Sequence, residues 1–182
     1  MTNEDFFTAW KEVCIQNEQI LKNSWYQPTE YTEIIKGGQN KTSIISQIAN
    51  KIGLLFLNEY YSTDVLFYKR NDVVQNTSKN GTWLDTDGNW LRKIRIAFEH
   101  ENKIEGIYHE ICHLLTISSD LKVVVTYPNH ENHIKYVEDC QSILNNYDVD
   151  NKEILLILGF RNTNEDILWE GYILSTQKYD II

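Results

Sequence analysis

The feature that most constrains this chain is a strand–helix–strand succession in its middle. Leu91 to Glu101 alternates, with Ile94, Ile96 and Phe98 facing one way and Arg95, Ala97, Glu99 and Glu101 the other, the period of a strand with two distinct faces. Lys103 to Ser118 carries Ile104, Ile107, Ile111, Leu114 and Leu115 at helical spacing. Leu121-Lys122-Val123-Val124-Val125-Thr126-Tyr127 is almost wholly apolar. Such a strand needs cover on both faces, and a helix leading straight into it is the crossover that returns a chain parallel to itself. An α/β sheet follows, and 182 residues with 42% hydrophobic content suffice to cover it within one domain.

The flanking segments complete the expectation. Asn3 to Lys22 repeats Phe6, Phe7, Trp10, Val13, Cys14, Ile20 and Leu21 as one amphipathic helix. Asn23 to Gln39 reads as a connection, marked by Pro28 and Gly37-Gly38. A second helix is predicted from Thr42 or Ser43 to Tyr60, then a strand over Thr63–Tyr68. Turn signals follow at Asn80-Gly81 and Asp87-Gly88. Beyond the central succession come a helix over Asn132–Asn145, with Ile134, Val137, Cys140, Ile143 and Leu144 inward, a core-like strand over Ile154–Phe160, and an edge strand over Leu168–Leu174. The order α-α-β-β-α-β-α-β-β describes a mixed central sheet with helices on its faces. It divides into N-terminal helices (1–60), a core (61–128), and a helix with C-terminal strands (129–182).

The net charge of −9 argues against a general polyanion binder, which needs a basic surface. It does not oppose a nuclease, whose basic groups are local and whose acidic centre holds metal. Cys14, Cys112 and Cys140 are odd in number and scattered without a C-x-x-C, which argues against a disulfide framework or a zinc ribbon and favours reduced thiols. No apolar run is long enough to span a bilayer. Met1-Thr2-Asn3-Glu4-Asp5 lacks the features of a secretory signal, so the expected compartment is the cytoplasm.

Two constellations carry chemistry. The first is Asp64 with Glu99 and Glu101. Period two puts both glutamates on one face of one strand. If 64–101 folds as one hairpin centred on Asn80-Gly81, facing residue numbers add to about 161. Asp64 then sits opposite Ala97, one step from Glu99. Three carboxylates at one strand end repel unless a cation joins them. Hard ions such as Mg²⁺ or Mn²⁺ favour oxygen donors. A metal held there can activate water and stabilise the leaving oxygen of a phosphodiester. With 15 glutamates in the chain, Glu-x-Glu is expected by chance roughly once, so its surroundings must carry the reading.

Those surroundings bring a family into view. Tyr61 to Pro128, with Asp64, the run Ile94-Arg95-Ile96-Ala97-Phe98-Glu99-His100-Glu101-Asn102, the helix Ile104–Ile117 and the strand Leu121–Tyr127, resembles the core of the restriction-endonuclease-like, PD-(D/E)xK superfamily. That core has an Asp at the start of one strand, a Glu-x-Lys on the next, a crossover helix and a buried strand. The resemblance covers about a third of the chain. It implies Mg²⁺- or Mn²⁺-dependent cleavage of nucleic acid, DNA above all, with Asp64, Glu99 and Glu101 as metal ligands. Position 101 is Glu where the family usually has Lys, a variant found in some restriction enzymes. Lys103 and His113 are candidates for the basic group, with His113 as a proton donor. Cleavage of a duplex by so small a domain favours a homodimer.

The second constellation is His109-Glu110-Ile111-Cys112-His113, a full H-E-x-x-H inside the predicted helix. Histidines at i and i+4 share a helical face and can hold Zn²⁺, with the Glu as general base of a hydrolase or peptidase. By chance this pattern arises in roughly 1% of such chains. It lacks the Gly-x-x-His extension, and a third ligand must come from Glu131, Glu138 or His133.

Arg92, Lys93 and Arg95 precede the acidic strand end and are either phosphate contacts or edge charges. Lys69 and Arg70 pose the same choice. Trp83 and Trp90 are base-stacking platforms or a packing pair in a hairpin. Glu59, near the end of the second predicted helix and five residues before Asp64, is the helix acid that the endonuclease-like resemblance implies can join the metal. A catalytically silent binding module with the endonuclease-like fold is the third functional reading.

Overall fold

The computed structural model describes residues 1–37, 42–60, 62–74, 90–129, 131, 133–146, 153–176 and 178–182. Four helices, α1 (Asn3–Gln16), α2 (Glu18–Ser24), α3 (Pro28–Lys36) and α4 (Ile44–Ile52), precede strands β1 (Leu55–Tyr60) and β2 (Thr63–Tyr68). Strands β3 (Val73–Val74) and β4 (Trp90–Leu91) form a small separate ribbon. Then come β5 (Ile94–Glu101), α5 (Ile107–Thr116), β6 (Ser119–Thr126), α6 (His133–Asn146), β7 (Ile154–Arg161), β8 (Ile167–Leu174) and β9 (Tyr179–Ile181). The main sheet runs β1-β2-β5-β6-β7-β8-β9. Its centre, β5-β6-β7, is parallel, and its flanks are antiparallel. The expected α/β class and mixed sheet are therefore present.

The alternation along each strand splits the core in two. Val65, Phe67, Ile96, Phe98, Val123 and Val125 pack under α1–α4, around Phe6, Trp10, Leu21, Tyr31, Ile35 and Ile45. Leu66, Ala97, Val124, Leu156 and Tyr172 pack under α5 and α6, against Ile107, Ile111, Leu114, Val137 and Cys140. β6 is buried on both faces, as its apolar run required.

The expected helix over Asn3–Lys22 is two helices. The Asn17 side-chain amide donates to Val13 O at 2.8 Å and to Gln47 Oε1 at 2.9 Å, so the break also ties α1 to α4. The expected connection Asn23–Gln39 contains α3, which starts with Pro28 and ends at Gly37 in the left-handed region (φ 51°). A Cβ on Gly37 would also lie 2.5 Å from Ser43 Cβ. The second predicted helix stops at Ile52, because left-handed Gly53 turns the chain and lets Leu54 N–H donate to Ala49 O. Leu55–Tyr60 is therefore a strand, and Glu59 lies on it. Ile134, expected inward, is 41% exposed. The predicted edge strand is interior, since β9 continues the sheet beyond β8.

The hairpin register also moves. β2 and β5 pair Val65 with Phe98, Leu66 with Ala97 and Phe67 with Ile96. Asp64 is thus carried opposite Glu99 and not Ala97. The ladder does not run through as one hairpin: a 3₁₀ turn at Arg70–Asp72 leads into the β3/β4 ribbon. The shift is even, so every side chain keeps its face. The turns at Asn80-Gly81 and Asp87-Gly88, with Trp83, lie outside the described residues, as does His130.

Candidate metal centre

β2, β5 and α5 build the site at the end of β5 where α5 begins. Asp64 starts β2, and Glu99 stands across from it on β5. Asp64 N–H donates to Glu99 Oε2 at 3.0 Å, and His100 N–H donates to Asp64 Oδ2 at 2.8 Å. Each carboxylate therefore satisfies a backbone donor beside the other acid. α5 crosses the same face on its apolar stripe of Ile107, Ile111 and Leu114. That orientation turns Glu110 and His113, one helical turn apart, toward Glu99. His113 Nδ1 lies 2.8 Å from Glu99 Oε1. Donor atoms of Glu99, Glu110 and His113 all fall within 4.8 Å of one another, the one compact group of three such donors among the described residues.

The electrostatics of this group call for a cation or a proton. Glu99 is 1% exposed. Burial, then repulsion from Asp64 and Glu110, pushes its carboxyl up to about 9 against the bonds that favour its charge. Glu110 is raised as well, by burial and by its acidic neighbours Asp64 and Glu101, while a hydrogen bond to Glu99 works in the opposite direction. Two carboxyl groups in contact share a proton unless a positive charge replaces it.

A lysine that sequence reasoning did not single out enters here. Lys36, the last residue of α3, places Nζ 2.6 Å from Asp64 Oδ1 and 3.3 Å from Glu59 Oε1. Burial disfavours its charge, but those two carboxylates outweigh burial and hold its pKa above the ordinary value. The signal was the Pro28-to-Gly37 frame of a short helix, which puts a basic residue at a helix end.

Of the expected ligands, Asp64 and Glu99 come together, and His113 joins them. Glu101 shares their face but bends back, with Oε1 accepting from Lys103 N–H at 2.7 Å. A Cβ at Gly106 would strike its Oε2. The compact group of donors among the described residues is Glu99–Glu110–His113, with Asp64 beside Glu99 and Glu101 outside the group. The Lys103 side chain is exposed. His109 is exposed beside Tyr108, outside the group, so the two histidines of H-E-x-x-H do not converge with Glu110 there. Among its proposed third ligands, His133 lies 3.3 Å from Glu170, and Glu131 and Glu138 are exposed.

His100, between the two glutamates, faces the other side of the sheet. Its Nε2 is 2.8 Å from the Tyr127 hydroxyl and its ring stacks on Tyr31. Burial lowers its pKa to about 3, so it is neutral. Arg95 binds Asp72 through two nitrogens at 2.7 Å and Asp120 at 3.3 Å. Lys93 also pairs with Asp120. These bases are near the start of β5, away from the acids at its end. Cys14 and Cys140 are buried free thiols, and Cys112 is half-buried and free. Among the described residues, no helix is long and apolar enough to cross a membrane.

No family model, curated protein or solved structure matches this chain.

Proposed function

We propose that this protein is a metal-dependent hydrolase of phosphodiester bonds in nucleic acid, with DNA as the favoured substrate and an architecture of the restriction-endonuclease-like, PD-(D/E)xK type. The observation that carries the reading is the placement of Asp64 and Glu99 on neighbouring strands, with Glu110 and His113 closing on Glu99 from the crossover helix. The order of parts matches the resemblance: an Asp at the start of a strand, a Glu-x-Glu on the next, a crossover helix and a buried strand.

The residues fit a divalent ion. Glu99 is a buried carboxyl kept protonated without a cation, and two carboxylates with one imidazole form a donor set for Mn²⁺ or Zn²⁺, with Mg²⁺ less suited to the nitrogen. Glu99, Glu110 and His113 would hold the ion. Such an ion supplies Lewis acidity toward a phosphate oxygen and makes water nucleophilic near neutral pH. Asp64, oriented by the His100 N–H, adds negative charge beside the centre, and Lys36 balances it. His113 is braced by Glu99, so its ring orientation is set before substrate arrives. A duplex substrate favours a homodimer with one site per strand.

The test is cleavage of plasmid DNA, single-stranded DNA and RNA with added Mn²⁺, Mg²⁺ or Zn²⁺, using wild type and Glu99→Gln. Cleavage by wild type that is lost in the variant supports the reading. Equal activity in both removes the site. A folded wild type that cleaves neither DNA nor RNA with any of these ions is the silent binding module.

A further inference from the structure

Resting on the metal reading above, we infer that this centre takes one divalent ion, and that the Lys36 ammonium is its second positive charge. Two-metal phosphodiesterases place their ions about 3.5–4 Å apart, with a carboxylate serving each. Here the acids divide into two groups. Glu99, Glu110 and His113 are mutually close, while Lys36 forms its ion pairs with Asp64 and Glu59. Asp64, beside Glu99, is already committed: Oδ2 accepts from His100 N–H, and Oδ1 meets Lys36 Nζ at 2.6 Å. Glu59, the next acid outward, shares the same ammonium.

The lysine is held there by the fold. Its side chain is 18% exposed and that of Asp64 is 19% exposed, so the pair is largely withdrawn from solvent. α3 is anchored on three sides. Tyr31, 2% exposed, stacks on His100. Asn102 Nδ2 donates to Thr32 Oγ1 at 2.6 Å. Asn58 Nδ2 donates to Lys36 O at 3.2 Å. Gly37 then ends the helix at once. A second ion seated on Asp64 would meet this fixed ammonium, and like charges a few ångströms apart in a partly buried site exclude each other.

The experiment is calorimetric titration of MnCl₂ into metal-stripped full-length protein, with circular dichroism confirming that each variant is folded. Wild type is expected to take one Mn²⁺ per chain. Lys36→Met frees Asp64 and is expected to bind the first ion at least tenfold more tightly or to accept a second. Lys36→Gln serves as a second neutral variant with the same expectation, and Lys36→Arg is expected to behave as wild type. Adding Asp64→Asn to Lys36→Met returns wild-type behaviour, because the freed carboxylate is gone. Two ions in wild type overturn the inference while sparing the metal reading. So does an unchanged number and affinity in both neutral variants, or a gain that survives Asp64→Asn. Absence of Mn²⁺ binding in wild type and every variant overturns both.

Discussion

Asp64 and Glu99 hold each other in place across two antiparallel strands. The backbone N–H of Asp64 donates to the Glu99 carboxylate, and the Asp64 carboxylate accepts from the N–H that follows Glu99 in the chain. This reciprocal clamp pins the strand register at its acidic end and puts two carboxyl groups side by side. The fold tolerates the pair because Lys36 sits on Asp64 and the buried Glu99 carboxyl keeps its proton. Strongly perturbed carboxyl groups that meet a specific charge partner are a signature of functional sites.

Metal binding is expected to separate the two histidines of the H-E-x-x-H segment. His113→Ala removes a donor from the compact group and is expected to weaken Mn²⁺ or Zn²⁺ binding at least tenfold. His109→Ala is expected to leave it unchanged, because that ring is exposed beside Tyr108. The same titration checks both. Equal loss in the two variants would restore the paired-histidine zinc site.

Stability of the metal-free protein is expected to fall as pH rises. Unfolded, the Glu99 carboxyl ionises near its ordinary 4.5; folded, it keeps its proton to about 9. Between those values the unfolded chain binds fewer protons, so unfolding becomes easier with pH. Below that window the effect vanishes. Denaturant midpoints in chelator should decline from about pH 5 to about pH 8. Glu99→Gln should flatten the decline.

Gly37→Ala is expected to destabilise the protein by about 1–2 kcal/mol. It forces a Cβ into a left-handed residue and against Ser43. Because Gly37 ends the helix that carries Lys36, the change should also alter Mn²⁺ binding. A denaturation curve and a titration on one sample measure both.

Arg95→Ala is expected to lower stability while leaving any nucleic-acid cleavage within about twofold of wild type. The guanidinium is engaged by Asp72 and Asp120 near the start of β5. A large loss of cleavage with unchanged stability would return Arg95 to a phosphate-contacting role.

The central β-α-β succession was legible because its signals are local. Alternation in Ile94–Glu101, the stripe on the helix and the unbroken apolar run of Leu121–Tyr127 each depend on neighbours within one element. The N-terminal part was less so. Apolar spacing carried the reading through Asn17 and Gly53, where a side-chain amide and a left-handed glycine end the helices. Pro28 and Gly37 are residue types that mark loops, yet here they frame α3.

The candidate site divides in the same way. Sequence alone determined that Asp64, Glu99 and Glu101 occur at strand ends and that Glu110 and His113 ride on the crossover helix, since period and spacing are properties of the chain. Only the tertiary structure decided which of them meet. The β2–β5 register moved Asp64 by two residues to face Glu99. The seating of α5 on its apolar stripe chose Glu110 and His113 over His109. The docking of α3, far from Asp64 in sequence, delivered Lys36. Register, helix seating and long-range docking are settled by burying the two core layers together, and no short stretch of residues encodes that balance.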